Sequence, residues 1–183
     1  MARPALARRK VLEAYIDLLC TDGVGSATME ATAARAGVSK GGLLYHFSSK
    51  ESLAQAVIDF SEEVIQEDLR LMDEAPEGAA TYYVRTSATV NGEFDRQFIA
   101  VQRLAQDGNE AAIAHLGTVQ QRWYEMLTKH LGDERIANMV MLIGEGLYTH
   151  CAMPGGWYQK NLEGQLGELL ELIPELKKLG RGN

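Results

Sequence analysis

The sequence is short of the residues that interrupt helices and of those that build covalently linked scaffolds. Its 183 residues include only 4 prolines and 2 cysteines. Proline breaks helices from within, so the long proline-free segments favour an all-helical fold. Cys20 and Cys151 match no zinc-ligand spacing, and in a reducing compartment they are interpreted as two buried apolar side chains rather than a disulfide.

The chain also lacks long hydrophobic runs and the common catalytic motifs. No apolar stretch approaches the roughly 20 residues that cross a bilayer, and no apolar stretch with a cleavage site begins the chain. These absences predict a soluble, cytoplasmic protein without a membrane partner. Phosphate-loop, zinc-protease and nucleophile-elbow patterns are missing too. We therefore expect no catalytic residue, no metal ligand and no cofactor.

Negative charge is unevenly distributed along the chain. Residues 1–50 carry 7 Lys and Arg against 4 Asp and Glu, whereas the remainder carries 11 against 21. This asymmetry favours a basic module that meets phosphate and an acidic module with another role. Chance clustering produces the same asymmetry, so the division needs support from motifs.

Short helices joined by a very tight turn are predicted near the N-terminus, after a first helix over residues 8–20. Thr28 suits the N-cap of the second helix, which Gly37 ends. Ser39 caps the next helix at once, so only Gly37 and Val38 form the turn. Helices joined so closely cross each other, which is typical of a helix-turn-helix.

The helix after this turn is a poor sequence for ordinary helical packing. Gly41 and Gly42 each cost about 1 kcal/mol relative to alanine. Glycine permits close approach of a backbone to another surface, and a helix N-terminus attracts phosphate. Tyr45 and His46 can reach phosphate oxygens or base edges. The sequence therefore predicts a DNA-contacting helix, and the alternative is a small helical hairpin with a surface tyrosine.

A long amphipathic helix at 49–72 is predicted to link a DNA-binding domain at 1–50 to a second domain at 51–183. Ser48 and Glu51 indicate a capping box at its start. Turn residues divide the rest of the chain into further helices, near 78–91, 95–106, 110–131, 134–153 and 160–173.

The run from Thr28 to Leu53, TMEATAARAGVSKGGLLYHFSSKESL, resembles the DNA-binding signature of the tetracycline-repressor (TetR) family. The strong resemblance covers about residues 8–60. It implies an all-α homodimer of about nine helices per chain, with an N-terminal three-helix helix-turn-helix DNA-binding domain followed by a helical-bundle ligand-binding and dimerisation domain. The implied contacts with double-stranded operator DNA are Thr28, Ser39, Lys40, Gly41, Gly42, Leu44, Tyr45, His46 and Lys50. Leu44 departs from the polar or aromatic residue of some members, and its aliphatic side chain suits a thymine methyl group.

The resemblance also places the subunit interface on the last two long helices. Candidate interface residues are Val140, Ile143, Gly144, Leu147, Leu166, Leu169 and Leu170. The same apolar stripes are typical of intramolecular core, and this second interpretation stays open. An effector pocket in a helical bundle is mostly apolar with a few polar groups. Candidate lining residues are Asn91, Phe98, Arg103, Trp123, Met126, Met141, Tyr148 and His150.

Together these patterns predict a transcription repressor that binds a pseudo-palindromic operator as a dimer. A small-molecule effector is expected to release it, and an efflux pump or a catabolic operon is the expected target. The alternatives are a DNA-binding protein without an effector, whose acidic domain only dimerises, and a helical-bundle enzyme. An activator also fits, because the sign of regulation depends on where the operator lies.

Overall fold

The computed structural model describes residues 3–89, 92–151, 161 and 164–179, and the regular structure within these ranges is entirely helical. The helices are α1 (Arg3–Thr21), α2 (Met29–Ala36), α3 (Lys40–His46), α4 (Lys50–Asp73), α5 (Ala79–Ser87), α6 (Glu93–Gln106), α7 (Glu110–Leu131), α8 (Glu134–Cys151) and α9 (Leu166–Leu179). This confirms the predicted all-helical fold of about nine helices.

The last helix differs most from its prediction at 160–173. It begins at Leu166 and continues through Pro174, which lies inside the helix. Proline removes one backbone hydrogen bond from a helix interior. Ile173, next to this proline, is buried, and tertiary packing of an apolar face stabilises helices more than local propensity does. The proline therefore does not end the helix as expected.

Packing divides the chain into two compact units. Unit 1 comprises Met1–Ile65 and Glu93–Thr118, and unit 2 comprises Gln66–Gly92 and Val119–Asn183. Both α4 and α7 contribute residues to each unit. Unit 1 thus joins the first two thirds of α4, and the whole of α6, to the three N-terminal helices. The functional boundary predicted at residue 50 stays a prediction.

The core of unit 1 surrounds α1, which packs against α2, α3 and α6. Fully buried side chains on α1 are Val11, Tyr15 and Leu19. They belong to one apolar cluster with residues of α3, α4 and α6, namely Leu43, Phe47, Leu53, Val57, Ala100, Val101 and Leu104. The orientation of α3 is therefore set by the packing of its apolar side onto this core.

Unit 2 is built around contacts of α5 with α8 and α9. Its buried side chains include Val84 of α5, Leu127 of α7, Val140 and Leu147 of α8, and Ile173 of α9.

None of the described helices combines the length and apolarity needed to cross a membrane. Cys20 and Cys151 form no disulfide with each other. Both are half-buried rather than buried as predicted, and the Cys20 thiol donates to the carbonyl of Arg96 across 3.2 Å.

Candidate nucleic-acid interface

The start and the end of α2 are each held by a local cap. The Thr28 hydroxyl accepts a hydrogen bond from the Ala31 amide at 3.1 Å. Gly37 ends the helix in the left-handed conformation with φ of +66°, which favours glycine. The Val38 amide then donates to the Ala33 carbonyl at 3.0 Å. These caps satisfy amides and carbonyls that a helix end would otherwise leave open, so the turn is encoded locally.

The two glycines of α3 have different roles. Ser39 caps α3 by accepting a hydrogen bond from the Gly42 amide at 3.1 Å. A β carbon on Gly42 would lie 3.2 Å from the Ser39 hydroxyl oxygen, whereas a β carbon on Gly41 would meet no atom within 4 Å. Gly42 therefore has an intramolecular reason for its small size. Gly41 instead leaves open space on the surface of α3.

The sides of α3 differ sharply in exposure. Leu43 is 0% exposed and Phe47 is also buried, both in the core of unit 1. Leu44 is 43% exposed and Tyr45 81% exposed. The Tyr45 ring meets the His46 ring edge to face, with 5.1 Å between the ring centroids. The outer surface of α3 thus presents an aliphatic side chain and a phenol hydroxyl.

The two lysines predicted to contact DNA have different environments. Lys40 Nζ lies 2.6 Å from a Glu30 carboxylate oxygen, and both side chains are more than half exposed. Such surface pairs contribute little stability, so Lys40 can exchange its partner readily. Lys50 is half-buried, and its ammonium donates to the Val24 carbonyl at 2.9 Å. Lys50 therefore also holds the loop between α1 and α2, a role that the sequence did not indicate.

The cap of α4 lies one residue later than the predicted box of Ser48 and Glu51. The Ser52 amide donates to the Ser49 hydroxyl at 3.2 Å, and the Ser49 amide donates to the Ser52 hydroxyl at 3.1 Å. A serine hydroxyl both donates and accepts, so Ser52 takes the position where a capping box usually has Glu or Gln. The prediction of a reciprocal capping pair at the start of α4 is therefore correct, but the pair is Ser49 and Ser52 rather than Ser48 and Glu51.

An ion-pair network within unit 1 connects three helices. Asp17 of α1 pairs with Arg35 of α2 and, at 3.1 Å, with Arg96 of α6. Arg35 also reaches Asp22 at 3.1 Å. The sequence does not indicate this network, because its members lie 18 and 79 residues apart. It links α6 to the helices that carry the helix-turn-helix.

Residues 11–57 match the family of bacterial regulatory proteins called the tetR family. This segment, which holds the helix-turn-helix, is similar to the TetR family.

Two curated relatives carry the same description, HTH-type transcriptional regulator BetI. The regulator of Klebsiella pneumoniae (strain 342) is 31% identical over 96 residues, which cover 52% of this chain and 48% of that protein. The chain thus spans about half the length of that relative. The regulator of Escherichia coli O157:H7 is 25% identical over 171 residues, which cover 82% of this chain and 85% of that protein. Both relatives are described as transcriptional regulators.

Solved structures show the same fold at low sequence identity. GusR of Salmonella enterica has a TM-score of 0.68 and 20% identity, covering 97% of this chain and 98% of its own. NalD, the secondary repressor of the MexAB-OprM multidrug efflux pump in Pseudomonas aeruginosa, has a TM-score of 0.63 and 18% identity, covering 92% and 96%. At these identities the likeness establishes the architecture alone.

The interface residues predicted from the TetR resemblance fall into two groups. Val140, Gly144 and Leu147 are buried within unit 2, as the intramolecular interpretation of the stripe expects. The remaining four, Ile143, Leu166, Leu169 and Leu170, are half-buried. Large exposed apolar side chains lie elsewhere on the same two helices, at Met139, Leu142, Leu172 and Leu179.

The predicted effector-lining residues divide between the two compact units. Phe98 and Arg103 lie on α6 in unit 1, whereas the others described lie in unit 2, namely Trp123, Met126, Met141, Tyr148 and His150. Asn91 lies outside the described residues. Trp123 is buried, and its indole N–H donates to Asp68 at 2.9 Å. Asp68 was missed because the two residues are 55 positions apart.

Within the described ranges, no group of three His, Cys, Asp or Glu side chains is arranged to hold a metal ion.

Proposed function

We propose that this chain is a transcription repressor that binds a pseudo-palindromic operator as a dimer and is released by a small-molecule effector. The observation that carries the DNA-binding part is the outer surface of α3, where Tyr45 is 81% exposed while Leu43 is completely buried. A helix anchored on one side and presenting a phenol on the other suits insertion into a major groove.

The surroundings of Tyr45 support this assignment. Gly41 leaves the start of α3 open to a close approach. Lys40 can exchange Glu30 for a phosphate, and Lys50 keeps ammonium protons beyond the one that it donates to Val24. Thr28 and Ser39 are exposed caps, and their hydroxyl groups can also meet phosphate oxygens. Gly42, Leu44 and His46 complete the proposed surface.

Two copies of α3 are needed to read a pseudo-palindrome, so the proposal includes a homodimer with a two-fold axis. The proposed interface lies on α8 and α9. Exposed Met139, Leu142, Leu172 and Leu179 would be covered there, together with the half-buried residues of the predicted interface. Val140, Gly144 and Leu147 then act from inside the subunit by fixing the position of α8.

The effector part of the proposal places the ligand in unit 2. Because α4 and α7 each contribute to both units, an effector that tilts α4 would move α3 and change the spacing of its two copies. A coupling free energy of about 1–3 kcal/mol changes affinity 5- to 150-fold, which suffices for a switch. The proposed target is an efflux pump or a catabolic operon, and NalD, a protein of the same fold, represses an efflux pump.

Replacing Tyr45 by alanine is expected to weaken operator binding about 10- to 100-fold, since a direct contact contributes about 1–3 kcal/mol. The measurement is a mobility shift on the DNA upstream of the chain's own gene. Tyr45→Phe serves as the matched control, because it keeps the ring and removes only the hydroxyl. Because Tyr45 is exposed, the thermal midpoint should not change. Equal affinity of wild type and Tyr45→Ala would contradict the proposed interface.

Replacing Lys50 by alanine is expected to have two separable effects. Loss of the hydrogen bond to Val24 should lower the free energy of unfolding by about 0.5–1.5 kcal/mol. Loss of one phosphate contact should reduce the slope of log affinity against log salt by about 0.9. Lys40→Ala is the control, with the same change in slope and unchanged stability. A destabilised Lys50→Ala with the wild-type slope would show that Lys50 is structural only.

A further inference from the structure

Three helices of unit 2 bring a carboxylate and three aromatic rings together. Asp68 of α4 accepts hydrogen bonds from the Trp123 indole of α7 at 2.9 Å and from the Tyr82 hydroxyl of α5 at 3.1 Å. The ring centroid of Tyr83 lies 5.8 Å from that of Trp123. Trp123 and Tyr83 are buried, and Asp68 is half-buried. We call these four residues the Asp68 cluster.

Among the described residues, the negative charge of Asp68 has no counter-charge in contact with it. Both hydrogen bonds to Asp68 come from neutral donors, and in the described part of the chain no Lys, Arg or His nitrogen lies within 4 Å of its carboxylate. Asp73, at the end of the same helix, instead pairs with Lys129 and His130, each at 2.7 Å. Burial raises the pKa of the Asp68 carboxyl, because a desolvated carboxylate is costly.

A second carboxylate, Glu145, acts electrostatically on Tyr83 of the cluster. Glu145 of α8 accepts a hydrogen bond from the neutral amide of Gln120 at 3.0 Å. The pKa of the Tyr83 hydroxyl is raised chiefly by burial, and the negative charges of Glu145 and Asp68 raise it further. Both carboxylates are therefore close enough to Tyr83 to act on it electrostatically.

The position of Tyr83 depends on a glycine of α8. A β carbon on Gly144 would lie 2.3 Å from Cε1 of Tyr83 and 2.9 Å from its Cδ1. The bare backbone at Gly144 thus allows the Tyr83 ring to lie against α8 and beside Trp123. The aromatic part of the Asp68 cluster is held in place by this close contact.

A purely structural role does not account for the charge. Asparagine at this position would also accept a hydrogen bond from Trp123 or Tyr82, without the cost of a desolvated charge that no cationic side chain of the described residues contacts. A carboxylate bordered by indole and phenol rings is, however, favourable for an organic cation. The carboxylate neutralises the cation, while the ring faces attract it through cation–π interaction.

We propose that the Asp68 cluster binds the effector and that the effector is an organic cation, an amine or a quaternary ammonium compound. Asp68 supplies the counter-charge, Trp123 and Tyr83 supply the rings, and Glu145 adds a second negative charge. The inference rests on the proposed function, in which a small molecule binds unit 2 and releases DNA.

The test uses the full-length protein with Trp157 replaced by phenylalanine, which leaves Trp123 as its only tryptophan. Benzyltrimethylammonium and tetraphenylphosphonium are titrated while Trp123 fluorescence is recorded, and both cations are expected to change it saturably. Tetraphenylborate, an anion of the same shape as tetraphenylphosphonium, should bind far more weakly. Asp68→Asn is expected to lower cation affinity at least about tenfold, since charge-assisted contacts are roughly twice as strong as neutral ones.

Glu67→Gln is the matched control, because it removes a neighbouring but exposed negative charge of α4 and should leave cation affinity unchanged. If Asp68→Asn does not fold by circular dichroism, Glu145→Gln provides the same comparison with a smaller expected loss. Equal cation affinity in wild type and the folded variant, or tetraphenylborate binding as tightly as tetraphenylphosphonium, would overturn the inference.

Operator release measured on the same samples separates this inference from the proposed function. Both cations should release operator DNA from wild type at lower concentration than from Asp68→Asn. Release by a neutral compound, with no saturable binding of either cation, would overturn the cation site and leave the effector-responsive repressor standing. Cation binding without any release would overturn the assignment of this site to the effector.

Discussion

Replacing Leu43 by alanine is expected to remove about 2–5 kcal/mol from the free energy of unfolding, the usual cost of truncating a buried leucine. Leu43 is completely buried in the core of unit 1. The adjacent Leu44 is 43% exposed, so Leu44→Ala should change stability by no more than about 0.5 kcal/mol. Urea denaturation followed by far-UV circular dichroism measures both variants under identical conditions.

The two leucines should also differ in their effect on operator binding. Because domains are stable by only about 5–15 kcal/mol, Leu43→Ala should weaken DNA binding by unfolding α3. Leu44→Ala should remain folded and change base preference, since an aliphatic side chain suits a thymine methyl. Equal denaturation midpoints of the two variants would show that α3 does not pack on the core as described.

Replacing Gly144 by alanine is expected to destabilise the protein by about 1–3 kcal/mol, the usual cost of overpacking a core. The new β carbon would lie 2.3 Å from a carbon of the Tyr83 ring, so the ring or α8 must move. Gly146 lies on the same helix, and a β carbon there meets no atom within 4 Å. Gly146→Ala should therefore stabilise α8 by up to about 1 kcal/mol through helix propensity.

The thermal midpoints of the two glycine variants should move in opposite directions. Displacement of Tyr83 should also alter the emission of Trp123 in Gly144→Ala and leave it unchanged in Gly146→Ala, because the two rings are neighbours. A Gly144→Ala protein as stable as Gly146→Ala would contradict the close contact between Tyr83 and α8.

The helix-turn-helix could be predicted because its determinants are local. Thr28, Gly37 and Ser39 each act within three or four residues of their position, and the structure shows all three as caps. Even a local signal can place a helix cap one residue too early or too late when two neighbouring residues both carry a hydroxyl group. Ser48 and Ser49 are both suitable caps, and only the structure shows that Ser49 pairs with Ser52.

Contacts between distant segments could not be predicted in the same way. Asp68 meets Trp123 across 55 residues, and Asp17 meets Arg96 across 79, whereas periodicity reports only which side of a helix is apolar. For the same reason the sequence placed Gly144 among the candidate interface residues without indicating which side chain lies against it. In the structure the contact is with Tyr83 of the same chain.

Unit 1 is assembled from two stretches of sequence, Met1–Ile65 and Glu93–Thr118. Residues of α6, Ala100, Val101 and Leu104, share the apolar cluster that holds Leu43 and Phe47. A fragment ending before α6 would expose this apolar cluster to solvent. The N-terminal helices that carry the helix-turn-helix are therefore not expected to fold stably without α6. Chimeric regulators made by exchanging only the first 50 residues should fold poorly unless α6 is exchanged with them.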